Sequence, residues 1–103
     1  MSDKISINLS FNFSSILSLL NESIDLAHWA DIDVKDINSE SFNIIIKDLE
    51  ENEEFLIDLK KLKKGFKNWI KSCPKSFAEF QTENYIKNDH FIQILCYGEV
   101  VYG

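Results

Sequence analysis

Over residues 4–11, KISINLSF, apolar and polar positions alternate strictly. Ile5, Ile7, Leu9 and Phe11 fall on one side, and Ser6, Asn8 and Ser10 on the other. A period of two is that of a half-buried β-strand. The period then lengthens. In SILSLLNESI, Ile16, Leu19, Leu20 and Ile24 recur at helical spacing, and Ser14 or Ser15 is placed to cap the first turn. The stretch LAHWADIDV returns to a period of two through Ile32 and Val34, with Trp29 as its bulkiest anchor, and predicts a second strand. After the polar turn KDINSE, the segment SFNIIIKDL puts Phe42, Ile44 and Ile46 on one face and is rich in the β-branched residues that strands favour.

Residues 55–73 admit two readings. Phe55, Leu59, Leu62, Phe66, Trp69 and Cys73 recur at steps of four and three, as in one long helix. Alternatively, EFLID is a short strand joined to the previous one across EENE, with a helix following from about Leu59. The second is favoured because Phe55, Ile57 and Leu59 alternate and Asp58 is placed to cap a lysine-rich helix. Gly65 would also weaken the middle of a long helix by roughly 1 kcal/mol relative to alanine. Pro74 ends that helix. KSFAEFQTEN reads as a short helix capped by Ser76 or as irregular chain, and Asn88 or Asp89 caps a last helix through HFIQILCY. Gly98 suits the left-handed position just past a helix end. The expected fold class is α+β: one domain spanning residues 1–103, in the order β-α-β-β-β-α-α, with a small, mostly antiparallel sheet and helices packed on one face.

Composition narrows this picture. A chain of 103 residues is one domain on length, and 45% hydrophobic with 13% aromatic residues is too rich in core formers for a disordered chain. No apolar run approaches the length of a membrane span, and the N-terminus lacks the basic start and apolar block of a secretory signal, so a cytoplasmic protein is expected. Cys73 and Cys96 are too few for a disulfide framework, and Cys96 within FIQILCY is expected to be a buried small hydrophobe.

Charge is unevenly placed. Residues 1–59 carry thirteen acids and three lysines, a balance of −10, whereas residues 60–103 carry four acids and eight lysines, +4. All eleven cations are lysine. Bidentate reading of bases or phosphates relies on arginine, so its absence argues against a direct nucleic-acid reader. Lys60, Lys64, Lys67 and Lys71 step by four, three and four along the predicted helix. They form an outer stripe whose simplest role is solvation, with acidic partners elsewhere in the protein.

The candidate catalytic sets are weak. Asp31 and Asp33 share a strand face but no calcium-loop pattern follows them, and His28, Cys73, Cys96 and His90 match no zinc spacing. Neither cysteine sits in a glycine-framed turn. With three glycines, phosphate-cradling loops are excluded. These patterns point away from an enzyme and imply no catalytic residue, metal or cofactor. The acidic half suggests instead a row of carboxylates that imitates the charge of nucleic acid and occupies a basic groove. Its members would be Asp31, Asp33, Asp36, Glu40, Asp48, Glu50, Glu51, Glu53 and Glu54.

Two stretches, HWADIDV and the terminal SFAEFQTENYIKNDHFIQILCYGEVVYG, resemble a family of small phage and mobile-element proteins. Its members carry a Trp-Ala pair after the first helix and finish on Gln-x-x-x-Phe-Gly-Glu-(Ile/Val)-Val-Tyr-Gly. Trp29-Ala30 matches the first feature, and Gln93 with Gly98-Glu99-Val100-Val101-Tyr102-Gly103 matches the second, with Tyr97 in place of the phenylalanine. The resemblance implies a phage or mobile-element setting and carries over no catalytic residue. By analogy with other small acidic phage proteins, the expected role is inhibition of a bacterial defence system, anti-CRISPR-like, in the host cytoplasm. The partner would be a host defence protein or complex, such as a CRISPR–Cas effector, with no membrane contact. An immunity or antitoxin protein that neutralises one toxin is the alternative, and a homodimer formed through exposed strand edges is a further possibility. The terminal segment itself reads as a structural lock: Gly98 reverses the chain, and Val100, Val101 and Tyr102 return to the core or pair along a sheet edge.

Overall fold

The computed structural model describes residues 13–38, 40–83 and 85–102. The strand expected over residues 4–11 lies outside them. Within them the elements are helix α1 (Phe13–Leu26), strands β1 (Ala30–Asp36), β2 (Asn43–Asp48) and β3 (Glu53–Asp58), and helices α2 (Leu59–Ser72), α3 (Pro74–Glu83) and α4 (His90–Tyr97). The chain is a small α+β fold, as the periodicities predict.

The three strands form one antiparallel sheet in the order β1-β2-β3. Alternation decides its faces. Ile44, Ile46 and Ile57 are fully buried on the inner face with the half-buried Phe55, while Asp31, Asp33, Glu54, Leu56 and Asp58 are exposed on the other. The favoured reading of residues 55–73 holds. β3 pairs with β2 across a tight turn in which Asn52 takes a positive φ of 57°, a conformation asparagine tolerates. Asp58 then caps α2, its carboxylate accepting the Lys61 N–H at 2.8 Å.

α2 buries Leu62, Gly65 and Trp69 and turns its lysines outward. Its end is abrupt: Pro74 stands at the first position of α3, where its missing N–H costs nothing, and the Cys73 carbonyl accepts the Phe77 N–H at 3.0 Å. The expected Ser76 cap is therefore corrected, because the helix starts two residues earlier. α4 is buried from Phe91 to Cys96 and lies at the centre of the fold against α1, α2 and β3. A helix apolar all round belongs in a core. Asn88 Oδ1 accepts the His90 N–H at 3.1 Å at its start, and Ser23 of α1 accepts the Ile92 N–H at 3.3 Å. Ser23 is fully buried beside this contact, and Ile24 is half-buried against the same core, as its spacing predicts. Trp69 sits among Phe66, Phe77, Phe80 and Phe91, with ring centroids 5.8–6.2 Å away.

Candidate partner-binding surface

The acidic residues singled out by the sequence fall into three environments. Asp31 and Asp33 project from the outer face of β1, both exposed, as their spacing predicts. The register sets Asp31 beside Lys47 of β2, and Lys47 beside Glu54 of β3. Asp33 lies beside Ile45, and Ile45 beside Leu56, which is 59% exposed. The outer face thus has an apolar centre at Ile45 and Leu56 flanked by carboxylates, with a lysine set into the acidic row. Lys35 pairs with Asp33 at 3.0 Å on the same surface, an exposed contact of little energetic weight.

The second group sits at the ends of the sheet. Glu50, Glu51, Glu53 and Glu54 crowd the β2–β3 turn, all exposed, at the same end as Asp31. Asp36 and Glu40 lie at the opposite end, about 17 Å away at the rise of a β-strand. Asp36 is committed locally, accepting hydrogen bonds from Ser41 Oγ at 2.5 Å and Asn38 Nδ2 at 3.2 Å. The single continuous row anticipated from the sequence is therefore two clusters joined by Asp33.

The third environment holds one residue and corrects the sequence reading. Asp48 is fully buried and presents no surface to a partner. It ends β2 on the inner face because it shares parity with Ile44 and Ile46. Its Oδ1 accepts the backbone N–H groups of Glu50 and Glu51 at 2.9 and 3.1 Å, which closes the β2–β3 turn. Its Oδ2 accepts the hydroxyls of Tyr97 and, at 2.5 Å, of Tyr102. Burial pushes the Asp48 carboxyl up, but the two tyrosine hydroxyls and two backbone donors outweigh it and hold the group below its ordinary value. The partners move the other way. Tyr102 is pushed up to about 12, chiefly by donating to Asp48, and Tyr97 is raised by burial and then by the same carboxylate. A carboxylate with four donors is a structural anion, and it positions Glu50 and Glu51 by holding their backbone.

The terminal residues complete this buried network. Gln93 Oε1 accepts the N–H groups of Val101 and Tyr102, each at 2.8 Å, while its amide donates to Asp89 Oδ1 at 2.9 Å. Asp89 Oδ2 takes the indole N–H of Trp29 at 2.6 Å, and the Trp29 ring lies 5.0 Å from that of Tyr102. Trp29, Gln93 and Tyr102, three of the residues that carry the resemblance, meet in one place. Gly98 has φ 78° and donates its N–H to Ile94, as expected of a helix terminator. Val100 and Val101 remain 39% and 46% exposed, contrary to the expected burial, because the tail is held by Tyr102 and by backbone bonds to Gln93.

Sequence spacing gave no sign of one further pair. Cys73 Sγ lies 3.8 Å from His90 Nδ1. Burial pushes the Cys73 thiol up, which opposes a reactive thiolate. Cys96 is buried as expected, and burial raises its thiol to about 12. Among the described residues no three metal-ligating side chains converge, and no helix is long and apolar enough to cross a membrane. No protein-family model matches the chain, and no curated protein or solved structure matches it either.

Proposed function

We propose that this chain is a phage-type binding protein that acts in the host cytoplasm and inhibits a bacterial defence complex, in the manner of an anti-CRISPR protein, by covering a basic nucleic-acid-binding surface. The observation that carries the reading is the outer face of the sheet. The buried side chains of the strands all lie on the inner face, so among the described residues the half-buried Ile45 and the exposed Leu56 form an apolar centre on the outer one, and Asp31, Asp33 and Glu54 surround it with the acidic β2–β3 turn at one end. An apolar centre inside a charged rim is the anatomy of a protein interface, and carboxylates in that rim select a partner rich in lysine and arginine. Occupying such a groove blocks its nucleic acid both sterically and by charge.

The test is a phage plaque assay in cells carrying a defined CRISPR–Cas system, with this protein supplied in trans. Plaque formation is expected to return with the wild-type protein and to be lost with Asp31→Lys, Asp33→Lys and Glu54→Lys combined. In vitro, the triple reversal is expected to weaken binding to the effector at least about a hundredfold, about 3 kcal/mol. Inhibition that survives the triple reversal would rule out the acidic face as the means.

A further inference from the structure

The lysines of α2 remain outside that reading. Lys60, Lys64, Lys67 and Lys71 are all exposed. At 3.6 residues per turn they fall within a sector of roughly 60°, opposite the buried Leu62, Gly65 and Trp69, and rise along the axis over about 16 Å. None of the four makes an ion pair with a described carboxylate. Asp58 is committed to capping α2, and the acids of the proposed interface lie on the sheet. α2 packs against α4, α3 and β3, whereas Asp31, Asp33 and Glu54 project from the outer face of the sheet.

We propose that this stripe is a second binding surface, for the phosphate backbone of a nucleic acid. The match is one of charge and shape. Each strand of a duplex carries one phosphate for about every 3.4 Å of helix axis, and four lysines at rises of about 6, 4.5 and 6 Å run alongside as a linear cation. Lysine serves as a point charge, so the contact is to phosphates and is indifferent to sequence. A linear polyanion fits better than a lipid surface, because the apolar side chains of α2 face inward and the stripe offers none to bury among acyl chains. The proposal departs from the expectation of no direct nucleic-acid contact, since the absence of arginine bears on base reading. The inference stands apart from the acidic-face reading. Together the two faces would let the protein cover a basic groove while gripping the strand that leads into it.

Anisotropy of a labelled 20-base-pair duplex, titrated with the protein alone, tests the stripe. Binding at about 50 mM salt is expected to fall with a log–log slope near −3.6, which is about 150-fold between 50 and 200 mM for four neutralised phosphates. Combining Lys60→Gln, Lys64→Gln, Lys67→Gln and Lys71→Gln should remove this salt-dependent binding while leaving the circular dichroism melt unchanged. Lys35→Gln with Lys47→Gln, on the sheet, should leave the slope intact. So should the triple acidic reversal, whose loss of plaque rescue would then be a separate result. The proposal is overturned if the duplex does not bind at low salt, if the quadruple variant binds as well as wild type, or if vesicles of phosphatidylcholine and phosphatidylserine bind where the duplex does not.

Discussion

Asp48 shows how much one residue's meaning depends on what folds against it. In the sequence it is one acid among many, and its parity with Ile44 and Ile46 is the only local sign that it faces inward. That sign is readable, because residues two apart on a strand share a face. What parity cannot supply is the pair of tyrosine hydroxyls from residues 49 and 54 positions away. Their donation makes burial of the charge tolerable, since an ionised carboxylate without partners would cost far more than it returns. Replacing Asp48 with asparagine keeps the volume but sets an amide N–H₂ against donors. The expected loss is about 2–3 kcal/mol at neutral pH. Because the native carboxyl is held low, its stabilisation is complete above about pH 4, where the unfolded group is also ionised, and it fades as pH falls through the native value. The gap in urea midpoint between wild type and Asp48→Asn should therefore be wide at about pH 7 and shrink at about pH 3. An equal gap at both would mean that the native carboxyl is not held ionised by these donors.

Among the elements, α2 and α4 make the most consequential contact, and it runs through Gly65. From the sequence, this glycine is a weak point that argues against a long helix. In the fold it is a point of close approach. A methyl group there would lie 2.4 Å from Leu95 Cδ2 and 3.4 Å from Cγ, and Leu95 is itself buried, with little room to retreat. Gly65→Ala gains helix propensity of roughly 1 kcal/mol but forces α4 and its leucine to shift, at about 1–3 kcal/mol. A net loss near 1 kcal/mol is expected, and larger for Gly65→Val. Thermal melts of the two variants give the order, and a stabilised alanine variant would show that α4 yields easily. The β2–β3 hairpin offers the opposite lesson. Alternation in EFLID and the acid before the lysine run were sufficient to find it, because a two-residue period and an N-cap are local physics.

For the molecule as a whole, the C-terminal segment ties the helical layer to the sheet. Tyr102 reaches Asp48 at the end of β2 and packs its ring at a 46° tilt against Trp29 before β1, and Gln93 of α4 holds the N–H groups of Val101 and Tyr102. Removing residues 99–103 strips two hydrogen bonds from the buried Gln93 carbonyl, one from Asp48, and the ring from Trp29. At about 1–3 kcal/mol for each polar group left unsatisfied, the loss is on the order of 4 kcal/mol, a large share of a small domain's stability. The melting temperature should drop by roughly 15–30 °C, or the chain should fail to fold. A truncated chain that melts like the full one would show the tail to be dispensable. Tyr102→Phe, which keeps the ring, should recover most of the lost stability if ring packing dominates and little if the Asp48 bond does.

The local elements were legible because their determinants are local. Period two marked β1 to β3, and helical spacing with Asp58 and Gly98 bounded α2 and α4. Exposure of Asp31, Asp33 and the turn glutamates was legible for the same reason. The sequence by itself therefore determined which stretches are helix or strand and which face of each is apolar. Only the tertiary structure decided that Asp48 is a buried anion, that the tail is held by Tyr102 rather than its valines, and that Cys73 meets His90. Each of these joins residues between 17 and 60 positions apart or depends on how whole elements pack. Such pairings are set by the packing of one buried helix against a sheet and its neighbours, which no short-range pattern encodes.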